Sequence, residues 1–418
     1  MNREDPALPS VLSIMLATGL SIVTFGTVVD LVAIDLKITD SLVGSIASGH
    51  FFGMVIGMLL SAKIWKKNSH IKALHLCALI SGITTILFSL SLNYTMAVFL
   101  FTLNGIANGI IFTYINTFVS FFSSSQYRSI SITKVYILYG IGTLAGPFIS
   151  QILLNFGVNW RVILQLVGSV TILSSVWIIS DKNVVFFLRE KVSSKGVDSS
   201  DREKKALVDN KRKGSPRQIF GPNLKGILAL VGAIVFSEAT DSSLKVWLVK
   251  FFRDVHLNEN AGFVLTAMWI VIVLTRIILQ RLTLAGHIRE FIIFSSLFAT
   301  LVLIGGAITR SVFLAFLCYI GVGIGYSGIY PFLLALIADV DSSNPETLMS
   351  LVTSIGAIGA VISPALIGLI SDYIGFREGM FAISFFTLCI CVLTVINSKS
   401  NLSHDKASST SIRGDLSC

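Results

Sequence analysis

Apolar runs of 18 or more residues recur along nearly the whole chain, and they constrain its fold more than any other feature. A run of this length matches the hydrocarbon core of a bilayer, which is about 30 Å thick. Inside lipid, only helices and closed barrels satisfy their backbone hydrogen bonds, and these runs are continuous rather than alternating. The sequence therefore predicts an all-α integral membrane protein.

Twelve transmembrane helices are predicted, in two sets of six. Spans one to six lie at about 9–32, 41–62, 72–92, 95–121, 132–154 and 160–180. Spans seven to twelve lie at about 223–252, 261–282, 287–308, 311–339, 346–371 and 376–396. The predicted domains are thus an N-terminal half (1–180), a linker (181–222), a C-terminal half (223–397) and a polar cytosolic tail (398–418).

Charge is distributed as a membrane topology requires. The linker carries eleven Lys or Arg and six Asp or Glu, and Lys63, Lys66 and Lys67 follow span two. The positive-inside rule places these loops and both termini in the cytoplasm, and we expect the cell membrane as the location. The net charge of +9 therefore does not indicate a nucleic-acid partner.

Enzyme and metal sites are not indicated by the sequence. The five cysteines show neither metal-ligand nor disulfide-framework spacing; they are Cys77, Cys318, Cys389, Cys391 and Cys418. No group of His, Asp and Glu has the spacing of a metal or acid–base centre. We predict a protein that is not an enzyme and has no cofactor.

Span seven is apolar except for Glu238, Asp241 and Lys245 in its middle. At 100° per residue the three charges fall within an arc of about 60° on one helix face. Each charge facing lipid would cost about 2.5–3.5 kcal/mol, which the apolar neighbours do not offset. We therefore expect this face to meet other helices or a water-filled cavity, and to handle substrate or a coupling ion. The alternative is a structural ion network with an Asp241–Lys245 pair.

Hydroxyl residues make the same stretch polar nearly all round, namely Ser237, Thr240, Ser242 and Ser243. This composition is typical of a helix unwound against a cavity. Trp247 lies about 180° from Glu238 on an ideal helix, so both can face the cavity only if the helix is broken.

A pattern of Gly, Pro and Arg recurs in the two halves. Residues 142–147 (GTLAGP) precede Gly157 and Arg161, and residues 359–364 (GAVISP) precede Gly375 and Arg377. The spacing from Pro to Arg is 14 residues in the first half and 13 in the second. Matching kink and turn signals at matching places predict two similarly folded halves.

These features resemble the major facilitator superfamily of transporters over essentially the whole chain, and finer motifs resemble its fucose permease-like branch, which includes sugar carriers. The motifs are residues 49–53 (GHFFG), residues 105–109 (GIANG) with Asn116, Trp269 with Arg276, the glycines before Tyr330-Pro331, and the spacing from Asp241 to Trp247. The resemblance implies twelve helices in two pseudo-symmetric six-helix bundles, with spans one, four, seven and ten lining the cavity. The glycines of spans four and ten are predicted to pack helices closely rather than to act as hinges.

The chain also departs from that branch. Trp65 stands where the superfamily has the gating Asp of its cytosolic loop motif, and Gly26 and Phe112 occupy the places of two coupling carboxylates. Proton coupling by the fucose permease route is therefore not expected. Asp30, one turn further along span one, is a candidate substitute.

Two further ionisable residues are candidates for a role in substrate binding or ion coupling. Arg276 is the expected countercharge for Asp241 or Glu238, and the alternative is a side chain that extends to the cytosolic interface. His50 lies in the middle of span two. It is a candidate proton relay, and the alternative is a buried neutral imidazole held by a hydrogen bond.

Span four offers amide side chains at Asn104, Asn108 and Asn116. Sugar hydroxyls need donors and acceptors of this kind. Aromatic faces for a sugar ring could come from Tyr136, Tyr139, Trp269, Tyr326 and Tyr330. The alternative is that the asparagines join neighbouring helices through hydrogen bonds.

The sequence thus predicts a monomeric carrier in the lipid bilayer that works by alternating access about a midplane site. A small neutral solute, above all a monosaccharide, is the substrate that the resemblance favours, with H⁺ or Na⁺ as candidate coupling ion. Two alternatives stay open. One is a proton-coupled exporter of drugs or other organic compounds, and the other is a transporter-like sensor without net flux.

Overall fold

The computed structural model describes residues 9–65, 70–122, 128–181, 224–279, 287–338 and 345–414. Its first six helices are α1 (Pro9–Leu36), α2 (Asp40–Trp65), α3 (His70–Ser89), α4 (Tyr94–Phe122), α5 (Arg128–Asn155) and α6 (Trp160–Ser180). The others are α7 (Leu224–His256), α8 (Gly262–Leu279), α9 (Ile288–Ile308), α10 (Val312–Tyr326), α11 (Ile329–Ala338), α12 (Pro345–Tyr373) and α13 (Phe376–Gly414). In the described ranges, twelve segments are long and apolar enough to cross a membrane. The predicted all-α class and the twelve spans are confirmed.

Span ten, predicted at about 311–339, consists of two helices, α10 and α11, separated by a turn at Ser327 and Gly328. Pro331 lacks the N–H group that would donate to the Ser327 carbonyl in a regular α-helix. Arg276 Nε donates to that carbonyl instead, at 2.9 Å. The proline thus explains both the irregular backbone and the new partner.

The described chain divides into two compact units whose membership differs from the predicted halves. Unit 1 holds residues 1–212, 245–266 and 364–373, and unit 2 holds 213–244, 267–363 and 374–418. Segments of α7, α8 and α12 therefore belong to the unit that contains α1 to α6. The predicted linker, apart from Asp181, lies outside the described residues. The backbone of α13 continues as a helix through most of the predicted tail.

Glycines allow α2 and α4 of unit 1 to approach closely. A Cβ atom on Gly105 would lie 2.0 Å from the His50 carbonyl oxygen, and one on Gly109 would lie 2.1 Å from that of Met54. No larger residue fits at such distances, so these span-four glycines serve helix packing, as predicted.

The repeated Gly–Pro pattern gives the same local backbone structure in both repeats. Pro147 lies inside α5 and Pro364 lies inside α12. The following turns place Gly157 at φ 75° and Gly375 at φ 140°, values that favour glycine over other residues. The repeat in the sequence is therefore also a repeat of local structure.

Candidate functional site

The charged face of α7 is partly accessible, although the stretch around it (residues 237–249) is otherwise buried. Within residues 237–249, the side chains that are not fully buried belong to Glu238, Asp241 and Lys245. Their spacing places them on one face of the helix, as the periodicity predicted. An accessible charged face in the middle of a span is the arrangement expected of a helix that lines an aqueous path.

The prediction that span seven is unwound is wrong, since α7 is continuous from Leu224 to His256. Its hydroxyl groups bond within the protein: Ser242 Oγ donates to the Glu238 carbonyl at 2.9 Å and lies 2.8 Å from Ser363 Oγ. With the helix unbroken, Trp247 cannot share the charged face. It is fully buried, and its indole N–H donates to the Pro364 carbonyl at 3.1 Å.

In unit 2, a tyrosine lies beside the charged face. The Tyr326 hydroxyl donates to the Ser237 carbonyl at 2.5 Å and lies 2.9 Å from Ser237 Oγ. Asp241, Glu238 and Arg276 all lie near enough to act electrostatically on this hydroxyl. The two predicted carboxylates and their predicted countercharge therefore all lie in the neighbourhood of the Tyr326 hydroxyl. The sequence identified Tyr326 as an aromatic candidate but gave no signal for its contact with Ser237.

Two other predicted residues of unit 2 lie on α8 and α11. Trp269 lies on α8, two helical turns before Arg276, and is 7% exposed. Tyr330 is half-buried on α11, directly after the turn that Arg276 contacts. Their place in a substrate site stays a prediction.

The polar groups of Asn104 and Asn108 are directed toward α3. Asn104 Nδ2 donates to the Ser81 carbonyl at 3.0 Å and to Thr85 Oγ1 at 2.9 Å. Asn108 Nδ2 donates to Asn104 Oδ1 at 2.9 Å, and its own Oδ1 accepts from Ser81 Oγ at 2.8 Å. Both asparagines are fully buried, so this network joins two helices, which is the packing alternative stated above. We leave both residues out of the site proposed below.

His50 is buried in an aromatic cluster of unit 1. Its ring stacks on Phe101 with centroids 4.5 Å apart, and Nδ1 lies 3.3 Å from the Phe101 carbonyl. Phe101 in turn packs against Phe25 and Phe88. Since Nε2 has no partner among the described residues, one donor or acceptor position on the ring is unused. Its role as a relay stays a prediction.

Asn116 belongs to a more accessible polar and aromatic surface on α4 and α5. The Tyr136 ring is 47% exposed and meets Phe112 edge-on, with centroids 6.0 Å apart. Asn116 lies within hydrogen-bonding reach of the Tyr136 hydroxyl and donates to the Phe112 carbonyl at 2.8 Å. One turn along α5, a Cβ on Gly140 would meet nothing within 4 Å. This surface presents an amide and an aromatic face beside open space.

An ionic cluster lies where segments of α7 and α12 join α1 and α2 within unit 1. Arg253 pairs with Asp30 at 2.6 Å, and Lys250 contacts Asp40 at 3.2 Å. The Asp372 carboxylate accepts the N–H groups of Asp40 and Ser41 at 2.9 and 2.8 Å and so caps α2. An open pocket of about 510 Å³ adjoins the cluster and is lined by charged residues Asp30, Lys37, Asp40, Lys250, Asp254 and Asp372.

Gly26, at the place of a coupling carboxylate in the fucose permease-like branch, lies against the backbone of α7. A Cβ there would lie 1.8 Å from the Lys245 carbonyl oxygen. No carboxylate fits at this position while α1 and α7 pack in this way. Asp30, four residues on, is the acidic residue of α1 that forms an ion pair with α7.

The sequence matches the Major Facilitator Superfamily over residues 11–340 and again over residues 252–413. The chain therefore belongs to this superfamily of membrane transporters. A benzoate transport protein of Acinetobacter baylyi is 26% identical over 164 residues, which are 37% of this chain and 34% of that protein. The match thus spans about a third of the length of that relative.

Solved structures show the same fold. A bacterial homologue of the human lysosomal transporter Spinster, in an inward-facing and occupied conformation, has a TM-score of 0.76 at 13% identity and covers 94% of this chain and 96% of its own. A D-xylose–proton symporter has a TM-score of 0.73 at 10% identity, with 93% and 95% covered. The nucleoside transporter NupG has a TM-score of 0.68 at 12% identity, with 94% and 100% covered. At these identities the likeness establishes the fold alone.

Proposed function

We propose that this protein moves a small polar solute across a membrane by alternating access. The observation that carries the proposal is the accessible charged face of α7, with Glu238, Asp241 and Lys245 open on an otherwise buried stretch. Charges in the middle of a span are stable only where water or polar partners reach them. A substrate path through the protein accounts for such a face, and superfamily membership supports that path.

The ionic cluster of unit 1 supports the alternating-access part of the proposal. Alternating access requires one end of the path to be closed by contacts that are broken in the opposite state. Arg253 and Asp372 contribute such contacts, since both reach α1 or α2 from the C-terminal half of the chain. A small number of ion pairs and hydrogen bonds such as these can form and break within one transport cycle.

A monosaccharide is our preferred substrate. The resemblance to the fucose permease-like branch favours a sugar, and the surface formed by Phe112, Asn116 and Tyr136 supplies chemistry that suits one. An aromatic ring packs against the carbon face of a sugar, while an amide offers both a donor and an acceptor to its hydroxyls. Asn116 and Tyr136 are the residues we assign to this contact.

An aromatic carboxylate is the second candidate. The relative named above is a benzoate transport protein. Arg276 lies near Tyr326 in unit 2 and is a cation that could hold a carboxylate group. The exposed Tyr136 ring would serve an aromatic ring as well as a sugar.

Uptake into proteoliposomes tests the proposal. The panel holds labelled hexoses, deoxyhexoses, pentoses and benzoate, with and without imposed proton and sodium gradients. Saturable uptake of one class names the substrate, and its stimulation by a gradient names the coupling ion. Asp241→Asn should lower uptake by about tenfold or more, while Glu290→Gln, an exposed carboxylate on α9, should leave it unchanged.

Other outcomes decide between the alternatives. Efflux of amphipathic compounds with no sugar or benzoate flux would support the exporter. Saturable binding without flux in any direction would support the sensor. If Asp241→Asn transports like the unmodified protein, the α7 face is structural and the proposed path is wrong.

A further inference from the structure

A half-buried arginine, Arg289, lies at the start of α9 in unit 2. Its Nε donates to Asn397 Oδ1 at 3.1 Å, and Asn397 Nδ2 donates to the Gly226 carbonyl at 3.0 Å. Asn397 is 2% exposed and lies at the end of the membrane span of α13, and Gly226 is the third residue of α7. The buried amide thus holds the guanidinium at the membrane surface where α7 and α9 begin beside α13.

The guanidinium of Arg289 forms no ion pair with the described residues. A cation in the first turn of a helix opposes the helix macrodipole, so the stability of α9 does not account for this arginine. Membrane topology explains a positive charge here, but it does not require a guanidinium held in one orientation by a buried amide. With Nε occupied, the two Nη groups form a planar fork that matches a phosphate or carboxylate.

The start of α9 has a counterpart in the first half of the chain. Residues 287–289 (HIR) stand at the start of α9, and residues 70–72 (HIK) begin α3. Arg289 thus corresponds to Lys72, an exposed lysine of unit 1. Both halves therefore place a cation at the start of their third span.

The two halves differ at the position that corresponds to Asn397. In unit 1, Ser10 Oγ of α1 donates at 2.6 Å to Oδ2 of Asp181, the residue that follows α6. The positions 216 residues further on are Gly226 and Asn397, which form the equivalent contact in unit 2. Unit 1 therefore has a carboxylate where unit 2 has a neutral amide. The charge that would balance Arg289 is missing from this position of its own unit.

We propose that Arg289 binds the phosphate group of an anionic phospholipid, with Lys225 as a second cation. Lys225 is exposed and directly precedes Gly226, whose carbonyl holds Asn397. Basic sites between membrane helices bind lipid headgroups in this way, and the positive-inside rule places this surface in the cytoplasmic leaflet. The inference goes beyond the proposed function and does not depend on which solute is transported.

An exposed apolar face of α13 favours a lipid over a soluble anion. Four side chains at helical spacing are between 39% and 58% exposed, namely Phe385, Leu388, Val392 and Ile396. They cover about 16 Å of helix, which is about half the thickness of the hydrocarbon core and therefore one leaflet. The face ends beside Asn397. A phospholipid contacts both this face and the cations, whereas a soluble phosphate contacts the cations alone.

Thermal denaturation of the full chain tests the inference. The purified protein in dodecyl maltoside receives phosphatidylglycerol or the same mole fraction of phosphatidylcholine. Phosphatidylglycerol should raise the denaturation midpoint by several degrees more, because a ligand that binds only the folded state stabilises it. The difference should shrink at high salt, which screens charges at a surface.

Variants of Arg289 connect this lipid preference to the guanidinium. Arg289→Gln should lose it, and Arg289→Lys should keep part of it, since lysine has the charge but lacks the fork. Arg310→Gln is the matched control: Arg310 is exposed just beyond the other end of α9, so this variant should keep the full preference. Native mass spectrometry measures binding independently of stability. The fraction of protein that retains phosphatidylglycerol should fall about tenfold in Arg289→Gln, as expected for a lost charged hydrogen bond.

Asn397→Asp gives a second test that keeps Arg289. A carboxylate at this position, like Asp181 in unit 1, should pair with the guanidinium and remove the lipid preference. An undiminished preference in both Arg289→Gln and Asn397→Asp, or equal stabilisation of the unmodified protein by the two lipids, would overturn the inference. Glycerol 3-phosphate, which lacks acyl chains, should not stabilise the protein at the same concentration. If it stabilises as well as the lipid, the ligand is a soluble anion and the lipid assignment is wrong.

Discussion

Arg161 and Arg377 hold equivalent places in the two repeats of the chain. Arg161, at the start of α6, donates to the carbonyls of Ser89 and Ser91 at the end of α3. Arg377, at the start of α13, donates to the carbonyls of Ala307, Ile308 and Thr309 at the end of α9. Each arginine thus satisfies the last carbonyls of the helix that lies three spans earlier.

Loss of either arginine should destabilise its own unit. The carbonyls at a helix end have no partner within the helix, and a charged donor compensates for them. Arg377→Ala should lower the free energy of unfolding by about 1–3 kcal/mol, measured by thermal denaturation of the purified protein in detergent. Arg377→Lys should lose less stability, because lysine keeps the charge although it lacks the planar fork of arginine. Equal stability of the two variants would contradict this, because it would show that the charge contributes nothing without the planar fork.

The asparagines of α4 should separate into structural and functional residues. Asn104→Leu removes the donor to Thr85 Oγ1 and the acceptor of Asn108 Nδ2. It should cost about 1–3 kcal/mol of stability with little change in substrate KM. Asn116→Leu should do the opposite, raising KM about tenfold with little loss of stability. Thermal denaturation and concentration-dependent uptake together measure both effects. A raised KM for Asn104→Leu at unchanged stability would restore it to the substrate site.

Some of the fold and of the site follows from local sequence. The charged face of α7 could be predicted because both the spacing of its charges, at three and four residues, and the cost of charge in lipid depend on that one helix alone. The turn glycines Gly157 and Gly375 could be predicted from a repeated motif. The partners of Asn104 and Arg253 could not be predicted. Asp30 and Arg253 are 223 residues apart, and periodicity does not determine which helix end meets another.

Gly26 should be sensitive to the smallest substitution. Since a Cβ would lie 1.8 Å from the Lys245 carbonyl oxygen, Gly26→Ala must push α1 and α7 apart. We expect a loss of about 1–3 kcal/mol in thermal stability. We also expect faster thiol labelling of a cysteine placed at the neighbouring buried position Thr27, in a protein whose native cysteines are replaced by serine. Gly140→Ala is the control, because its Cβ meets nothing and alanine favours the helix by about 1 kcal/mol. Labelling of Gly26→Ala at the unmodified rate would show that the backbones can adjust without opening.

The effects of Arg276 and Pro331 on stability should be coupled, because both act on the carbonyl group of Ser327. Pro331 removes the helical donor to the Ser327 carbonyl, and Arg276 supplies the replacement at 2.9 Å. Arg276→Gln alone should therefore destabilise the protein by about 1–3 kcal/mol. In a Pro331→Ala background the backbone N–H of residue 331 can take over, so the same change should cost about 1 kcal/mol less.

A double-mutant cycle on the four proteins, by thermal denaturation in one detergent, measures this coupling. Ile329→Val, a neighbouring change in α11 that restores no donor, serves as the control background and should leave the cost of Arg276→Gln unaltered. Uptake measured on the same four proteins separates the two roles of Arg276. If Pro331→Ala restores stability to Arg276→Gln but not transport, the guanidinium acts on the solute or on the α7 carboxylates as well as on the backbone. Recovery of both would limit Arg276 to holding the turn between α10 and α11.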